Sequence, residues 1–268
     1  MTLFPRLEEL HLDDLPKLRH FFLTKSVTEF PFLREVTISE CPEMKTFVQK
    51  GIFVRLEITV NNDDEVKAMF NSKVSFPNLE ELRIWELESI TALCFDQLST
   101  AYFSKLGRLL VWNCGNLRNL MPPSGARCLL NLRGLRIQRC VSMQEVITKE
   151  EHHGEEIMTL FPLLDELKLE ELPKLGHFFL TEHPLKFPFL REVTIHECPK
   201  MKTFVQQGIS VSTPSLESVN DGYEVKVDDL NKWTQQWFNS KEQKASQGTT
   251  NGDESEAIIG DKYVAVDD

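Results

Sequence analysis

Residues 4–18 read FPRLEELHLDDLPKL, and residues 161–175 read FPLLDELKLEELPKL. The likeness extends without a gap over Met1–Ile52 and Met158–Ile209, at a constant offset of 157 and with about three-quarters of the positions identical. The differences avoid one set of residues. Leu7, Leu10, Leu12, Leu15, Leu18 and Phe21 recur as Leu164, Leu167, Leu169, Leu172, Leu175 and Phe178. Leu33, Val36, Ile38, Cys41, Met44 and Phe47 recur as Leu190, Val193, Ile195, Cys198, Met201 and Phe204. Each set has the spacing LxxLxLxx(L/C)xx(L/M)xxF. A duplicated segment that varies outside this lattice and not within it marks the lattice as core.

The same spacing runs through the middle of the chain. Leu79, Leu82, Ile84, Leu87, Ile90 and Leu93 form one set, Leu106, Leu109, Val111, Cys114, Leu117 and Leu120 the next, and Leu132, Leu135, Ile137, Cys140, Met143 and Val146 a third. First anchors recur at 26 or 27 residues, stretched to 32 between Leu132 and Leu164 by an insertion. The interval of 46 from Leu33 to Leu79 splits at Leu56 into two short repeats, and Leu216 opens a degenerate last one, giving roughly nine units. An apolar spacing repeated at this period predicts a leucine-rich repeat solenoid. Its fold class is α/β, with a curved parallel sheet on the concave face and an irregular or short helical convex side. In each unit the LxL segment is a short strand that turns its leucines inward. A following Pro (Pro16, Pro42, Pro173, Pro199) stops the strand, and the chain returns irregularly or through a helical turn.

Domain boundaries follow. Residues 1–212 form the solenoid, with the internal duplication of 1–52 and 158–209. Residues 213–241 form the last repeat and a capping helix, in which Leu230, Trp233, Trp237 and Phe238 share one face behind Asp228 or Asp229. Residues 242–268 are an acidic tail whose composition predicts disorder. No polar capping unit precedes Leu7, so the start reads as a cut through a longer array.

Composition excludes several classes. No run of 18 apolar residues predicts a membrane helix. No signal peptide opens the chain and no N-x-S/T acceptor occurs. Four of the six cysteines (Cys41, Cys114, Cys140, Cys198) occupy one lattice position, which predicts packing rather than disulfides, metal ligation or redox chemistry. Together these predict a reducing, cytoplasmic setting. Of the net charge of −11, the tail holds −5 and the insert Lys149–Glu156 holds −3. The remaining body is nearly balanced, which argues against nucleic acid as a partner. His152 and His153 in the insert read as loop residues rather than metal ligands. No phosphate loop, GxGxxG, GxSxG, HExxH or CxxC occurs, and Ser124 has no His placed to activate it. The sequence therefore predicts no enzyme, cofactor or metal.

Function is expected on the concave strands, read as columns in register. The first is Glu9, Glu35, Glu81, Arg108, Gly134, Glu166, Glu192. The second is His11, Thr37, Arg83, Leu110, Arg136, Lys168, Thr194. The third is Asp13, Ser39, Trp85, Trp112, Gln138, Glu170, His196. The ends are polar or acidic. The centre gathers Trp85 and Trp112 with Leu110, Arg83, Arg108 and Arg136. Tryptophan and arginine dominate binding hot spots, so these six residues are the candidate partner-binding site. Alternatively, the two tryptophans serve as strand formers stacked on each other or on a loop.

The phrases FPRLEELHLDDLPKL, FPFLREVTISECPEMKTF and FPLLDELKLEELPKL resemble the C-terminal repeats of plant coiled-coil, nucleotide-binding, leucine-rich-repeat disease-resistance proteins, over about residues 1–241. The resemblance implies a recognition module of an intracellular immune receptor, with a pathogen effector, a guarded host protein or the receptor's own nucleotide-binding domain as partner. The coiled-coil and nucleotide-binding domains do not occur in these 268 residues. An alternative function is the substrate-recognition arm of a ubiquitin ligase. It would be marked by an F-box-like segment before the repeats, which this sequence does not show.

Overall fold

A computed structural model describes residues 4–24, 28–50, 68–71, 74–94, 102–149, 157–220 and 227–248. Its spine is one parallel sheet of eight strands: β1 Glu9–Asp13, β2 Glu35–Ser39, β3 Glu81–Trp85, β4 Arg108–Trp112, β5 Gly134–Gln138, β6 Glu166–Glu170, β7 Glu192–His196 and β8 Ser218–Val219. Each pairs with the next in chain order, in the register of the expected columns.

Every junction is built alike. The residue before each strand accepts two N–H bonds from the next turn: Glu8 from Arg34 and Glu35, Arg34 from Glu80 and Glu81, Gly107 from Arg133 and Gly134, and Asp165 from Arg191 and Glu192. The residue after each strand takes a positive φ, from Asp14 at 49° to Asn220 at 52°, and bends the chain off the sheet. The N–H groups of Glu86, Asn113, Arg139 and Glu171 then donate to the last strand residue of the following turn.

The lattice is the core. Among the described residues its anchors from Leu33 to Phe204 are all buried, and the turns form one continuous cluster. The cysteine position has a further logic. The thiols of Cys41, Cys114, Cys140 and Cys198 donate to backbone carbonyls at the strand ends, such as Ser39, Trp112, Gln138 and His196. All six cysteines are buried and none is in a disulfide.

Two features depart from the expectation. First, β2 pairs directly with β3, so no strand intervenes between the Leu33 and Leu79 turns. The sheet therefore has no place for a repeat strand between these two turns, and Leu56 itself lies outside the described residues. Second, the return side carries short parallel pairs, among them His20–Thr24 with Thr46–Lys50, Ala68–Phe70 with Ala92–Cys94, and Glu145–Ile147 with His177–Phe179. Aromatic and β-branched residues at the last anchors favour extended backbone over helix. The one short helix described there is α1, Pro123–Cys128. The first turn is not closed. Leu7, Leu10, Leu18 and Phe21 are only partly buried and Leu15 is exposed, because β1 is the sheet edge.

At the other end, helix α2 spans Leu230–Gly248, beyond residue 241. Asp229 caps it, accepting the N–H groups of Asn231 and Lys232 and also that of Val211. Leu230 is fully buried, whereas Trp233 stacks on Trp237 and both remain half-buried. The buried Asn231 accepts from the N–H groups of Phe204 and Val205 and donates to the carbonyls of Gln206 and Ile209. That clamp fixes the last loop of the solenoid to the helix. Among the described residues no helix is long and apolar enough to cross a membrane.

Candidate functional site on the open face of the sheet

Trp85 and Trp112 close strands β3 and β4 and face each other directly in register. Alternation along the strand turns Leu82, Ile84, Leu109 and Val111 into the core and leaves the tryptophans on the open face. Trp85 is 37% exposed and Trp112 is half-buried. The two rings make no aromatic contact with each other, unlike the many phenylalanine pairs of the core. Instead they flank a hollow of about 310 Å³, lined also by Leu110, Val111, Arg136 and Gln138. The volume is at the low end for ligand pockets and suits one large side chain. The two tryptophans are therefore not stacked on each other, which is one of the two arrangements that the strand-former alternative expects.

The arginines are already engaged. Arg83 reaches Glu81 at 2.8 Å and Glu35 at 3.4 Å. Arg136 pairs with Glu170 at 3.0 Å and donates to Gln138 at 3.2 Å. Arg108 is looser, with its side chain 71% exposed and its nearest carboxylate, Glu81, at 4.0 Å. The structure thus brings Trp85, Trp112, Leu110 and Arg136 into one hollow, with Arg83 in the neighbouring column, and leaves Arg108 at the opposite end of β4.

A residue outside the expected set also belongs here. Arg139 occupies the bend after β5, and its guanidinium lies 5.7 Å from the centre of the Trp112 ring. Two hydrogen bonds to Glu171, at 2.8 and 2.9 Å, hold it there. That pairing raises the arginine's pKa and, with help from Gln138, lowers that of Glu171. Cation–π attraction fixes one face of Trp112, leaving the ring preset for a ligand on its free side. The signal in the sequence was a basic residue just past the third column, one turn after a tryptophan.

This arrangement can bind; it holds no nucleophile beside a base. Among the described residues no group of three His, Cys, Asp or Glu is placed to hold a metal ion. His152 and His153 lie outside the described residues.

Comparison with curated proteins gives no match, and neither does comparison with solved structures. The family model for the leucine-rich repeats of plant RPS2-like disease resistance proteins matches residues 48–141 and 78–220. That span takes in every strand from β3 to β8, both tryptophans and more than half of the sequence, so the chain belongs to the leucine-rich-repeat family of plant RPS2-like disease resistance proteins.

Proposed function

We propose that the chain is the recognition module of, or a truncated relative of, a plant intracellular immune receptor, and that it works in the cytoplasm without catalysing a reaction. Its partner is a protein: a pathogen effector, a guarded host protein or a receptor's nucleotide-binding domain. The contact centres on Trp85 and Trp112, with Leu110, Arg83, Arg108, Arg136 and the added Arg139 around them. One observation carries this reading. On a face where Arg83, Arg136 and Lys168 are already paired with carboxylates, two adjacent tryptophans stand apart and leave a side-chain-sized hollow between them.

Removing an aromatic anchor costs binding about 2 kcal/mol or more, and rim charges less. Neither ring is needed by the core. Trp85→Ala with Trp112→Ala therefore leaves the thermal melt nearly unchanged and abolishes partner capture from plant extract. Captured proteins are then titrated, purified, against both baits. Identical partner sets and affinities for wild type and double variant overturn the reading.

A further inference from the structure

Charge is sorted across the thickness of the solenoid. The three open columns hold seven carboxylates and four cations. The residue before each strand adds four carboxylates and three guanidiniums, and the residue after each adds five carboxylates and Arg139 alone. The open face with its two rims thus carries sixteen carboxylates against eight cations, a net −8. The other described residues up to 241 carry fourteen cations against seven carboxylates, a net +7. A body that is nearly balanced as a whole is acidic on the side that holds the tryptophans.

Pairing within the face does not cancel this. A second hollow, of about 400 Å³, opens where strands β3 to β6 begin. Gly134 in the first column and Gly107 before β4 leave it clear of side chains. Neither glycine has a positive φ, and a Cβ on either would meet nothing closer than 3.6 Å, so the fold does not demand them. Five carboxylates line the hollow against two guanidiniums, Arg108 and Arg133. Arg34, Arg83, Lys168 and Arg191 reach those carboxylates from outside it. They do not use up the acceptors. One oxygen each of Glu35, Glu80 and Glu166 has no hydrogen bond or ion pair among the described residues. That of Glu166 stands over Gly134, 3.9 Å from the place of a Cβ. Nor do they reverse the sign, because beyond the lining the face holds eleven carboxylates and six cations. An incoming cation therefore meets free acceptors in a negative field.

We propose that the open face binds a basic segment of a partner protein: a large apolar side chain enters between Trp85 and Trp112, and a Lys or Arg about four residues away enters the hollow cleared by Gly107 and Gly134. The spacing is the length of β4, because the two hollows lie at its opposite ends. From Arg108 to Trp112 is four residues, about 13 Å of extended chain. This rests on the tryptophan site as the contact and adds the charge of what it reads. Complementary charge of this kind selects partners and speeds encounter.

The test uses short synthetic peptides, otherwise serine and glycine, with one Phe and, four residues on, Arg, Gln or Glu. Affinity for the full chain is read from the fluorescence anisotropy of labelled peptide, and the indole N–H signals of Trp85 and Trp112 in NMR locate the contact. The Arg peptide binds about tenfold tighter than the Gln peptide, the worth of one charge-assisted bond. The Glu peptide binds more weakly than either, and the differences shrink at high salt. Glu80→Gln with Glu166→Gln removes most of the Arg advantage, and so does Gly134→Gln, which fills the hollow. Glu29→Gln with Glu182→Gln, an equal change of net charge away from the open face, keeps it; an equal loss there overturns the hollow as the place of the cation. Equal affinities of the three peptides, or a Glu peptide that binds tightest, overturn the basic partner and leave the tryptophan site standing. No binding by any peptide, binding that leaves both indole signals unmoved, or binding that survives Trp85→Ala with Trp112→Ala overturns both.

Discussion

Leu15 and Leu172 hold the same place in the two copies of the duplicated segment, yet Leu172 is fully buried and Leu15 is 39% exposed. The difference is the neighbour. The turn built on Leu132, Leu135 and Ile137 stacks on the second copy through β5 and β6, whereas β1 is the edge of the sheet. One side chain in one local sequence therefore samples two environments. Leu172→Ala should cost about 2–5 kcal/mol, as buried leucine truncations do, and Leu15→Ala should stay within about 1 kcal/mol. Urea unfolding midpoints compare them. Equal losses would mean that Leu15 is covered in solution.

Asn231 makes a second prediction. Its side chain satisfies two buried N–H groups and two carbonyls of the loop 204–209. Asn231→Ala strands the two donors, which costs about 3 kcal/mol or more when desolvation goes uncompensated. Asn239→Ala, on the exposed part of the same helix, should be nearly silent. Amide exchange at Phe204 and Val205 reports the local loss, and protection equal to wild type would contradict the clamp.

The positive-φ bends carry strain that can be relieved. Glu197 has φ 53°, is exposed and makes no ion pair among the described residues. Left-handed backbone costs an ordinary L-residue about 1–2 kcal/mol, while glycine adopts it freely at some expense in unfolded-state entropy. Glu197→Gly should therefore raise the melting temperature slightly, and Glu197→Val should lower it clearly. A Val variant as stable as wild type would show that the bend has another geometry.

The buried thiols set an alkaline limit. Burial raises the pKa of Cys198 from the usual 9.0 to about 11, with Glu170 and Glu197 adding to the rise and a backbone bond from Leu172 opposing it. The unfolded thiol then ionises first as pH rises. This contribution is complete below pH 9 and is lost between 9 and about 11, for roughly 2–3 kcal/mol at its greatest. Denaturation midpoints across that range should fall less steeply in Cys198→Ala. Parallel curves would remove the thiol from the account.

Much of this was legible in the sequence, for a physical reason. A solenoid repeats one environment, so the spacing of Leu, Ile, Val and Cys reveals burial turn after turn, and the column register followed from it. What escaped lay outside that period. The phenylalanine preceding the first anchor, at Phe30, Phe76 and Phe187, is buried and stacks along the core, with Phe30 and Phe76 ring centres 5.5 Å apart. Its FP dipeptide recurs at residues 4, 30, 76, 161 and 187 but is missing before Leu106 and Leu132, which hides it from a strict period. Spacing alone makes Leu56 an anchor, whereas strand pairing sets β2 directly beside β3 in the main sheet. At the candidate site the tryptophans and arginines were visible in the columns. Ring separation, Arg139 over Trp112 and the prior pairing of Arg83 and Arg136 depend on side-chain directions that no column encodes.

The uniform junctions have a consequence for heredity. Glu8, Arg34, Gly107, Arg133, Asp165 and Arg191 differ as residues, yet each offers the same carbonyl to the same two N–H groups of the next turn. Any turn can thus follow any other. The twin segments demonstrate it, since one leads into β3 and the other into β8. Recombination that gains or loses a whole turn keeps the backbone bonds of the joint, and it sets the paired tryptophans beside different turns. Such a chain can change what it recognises by shuffling its length, a far larger step than one substitution at a time.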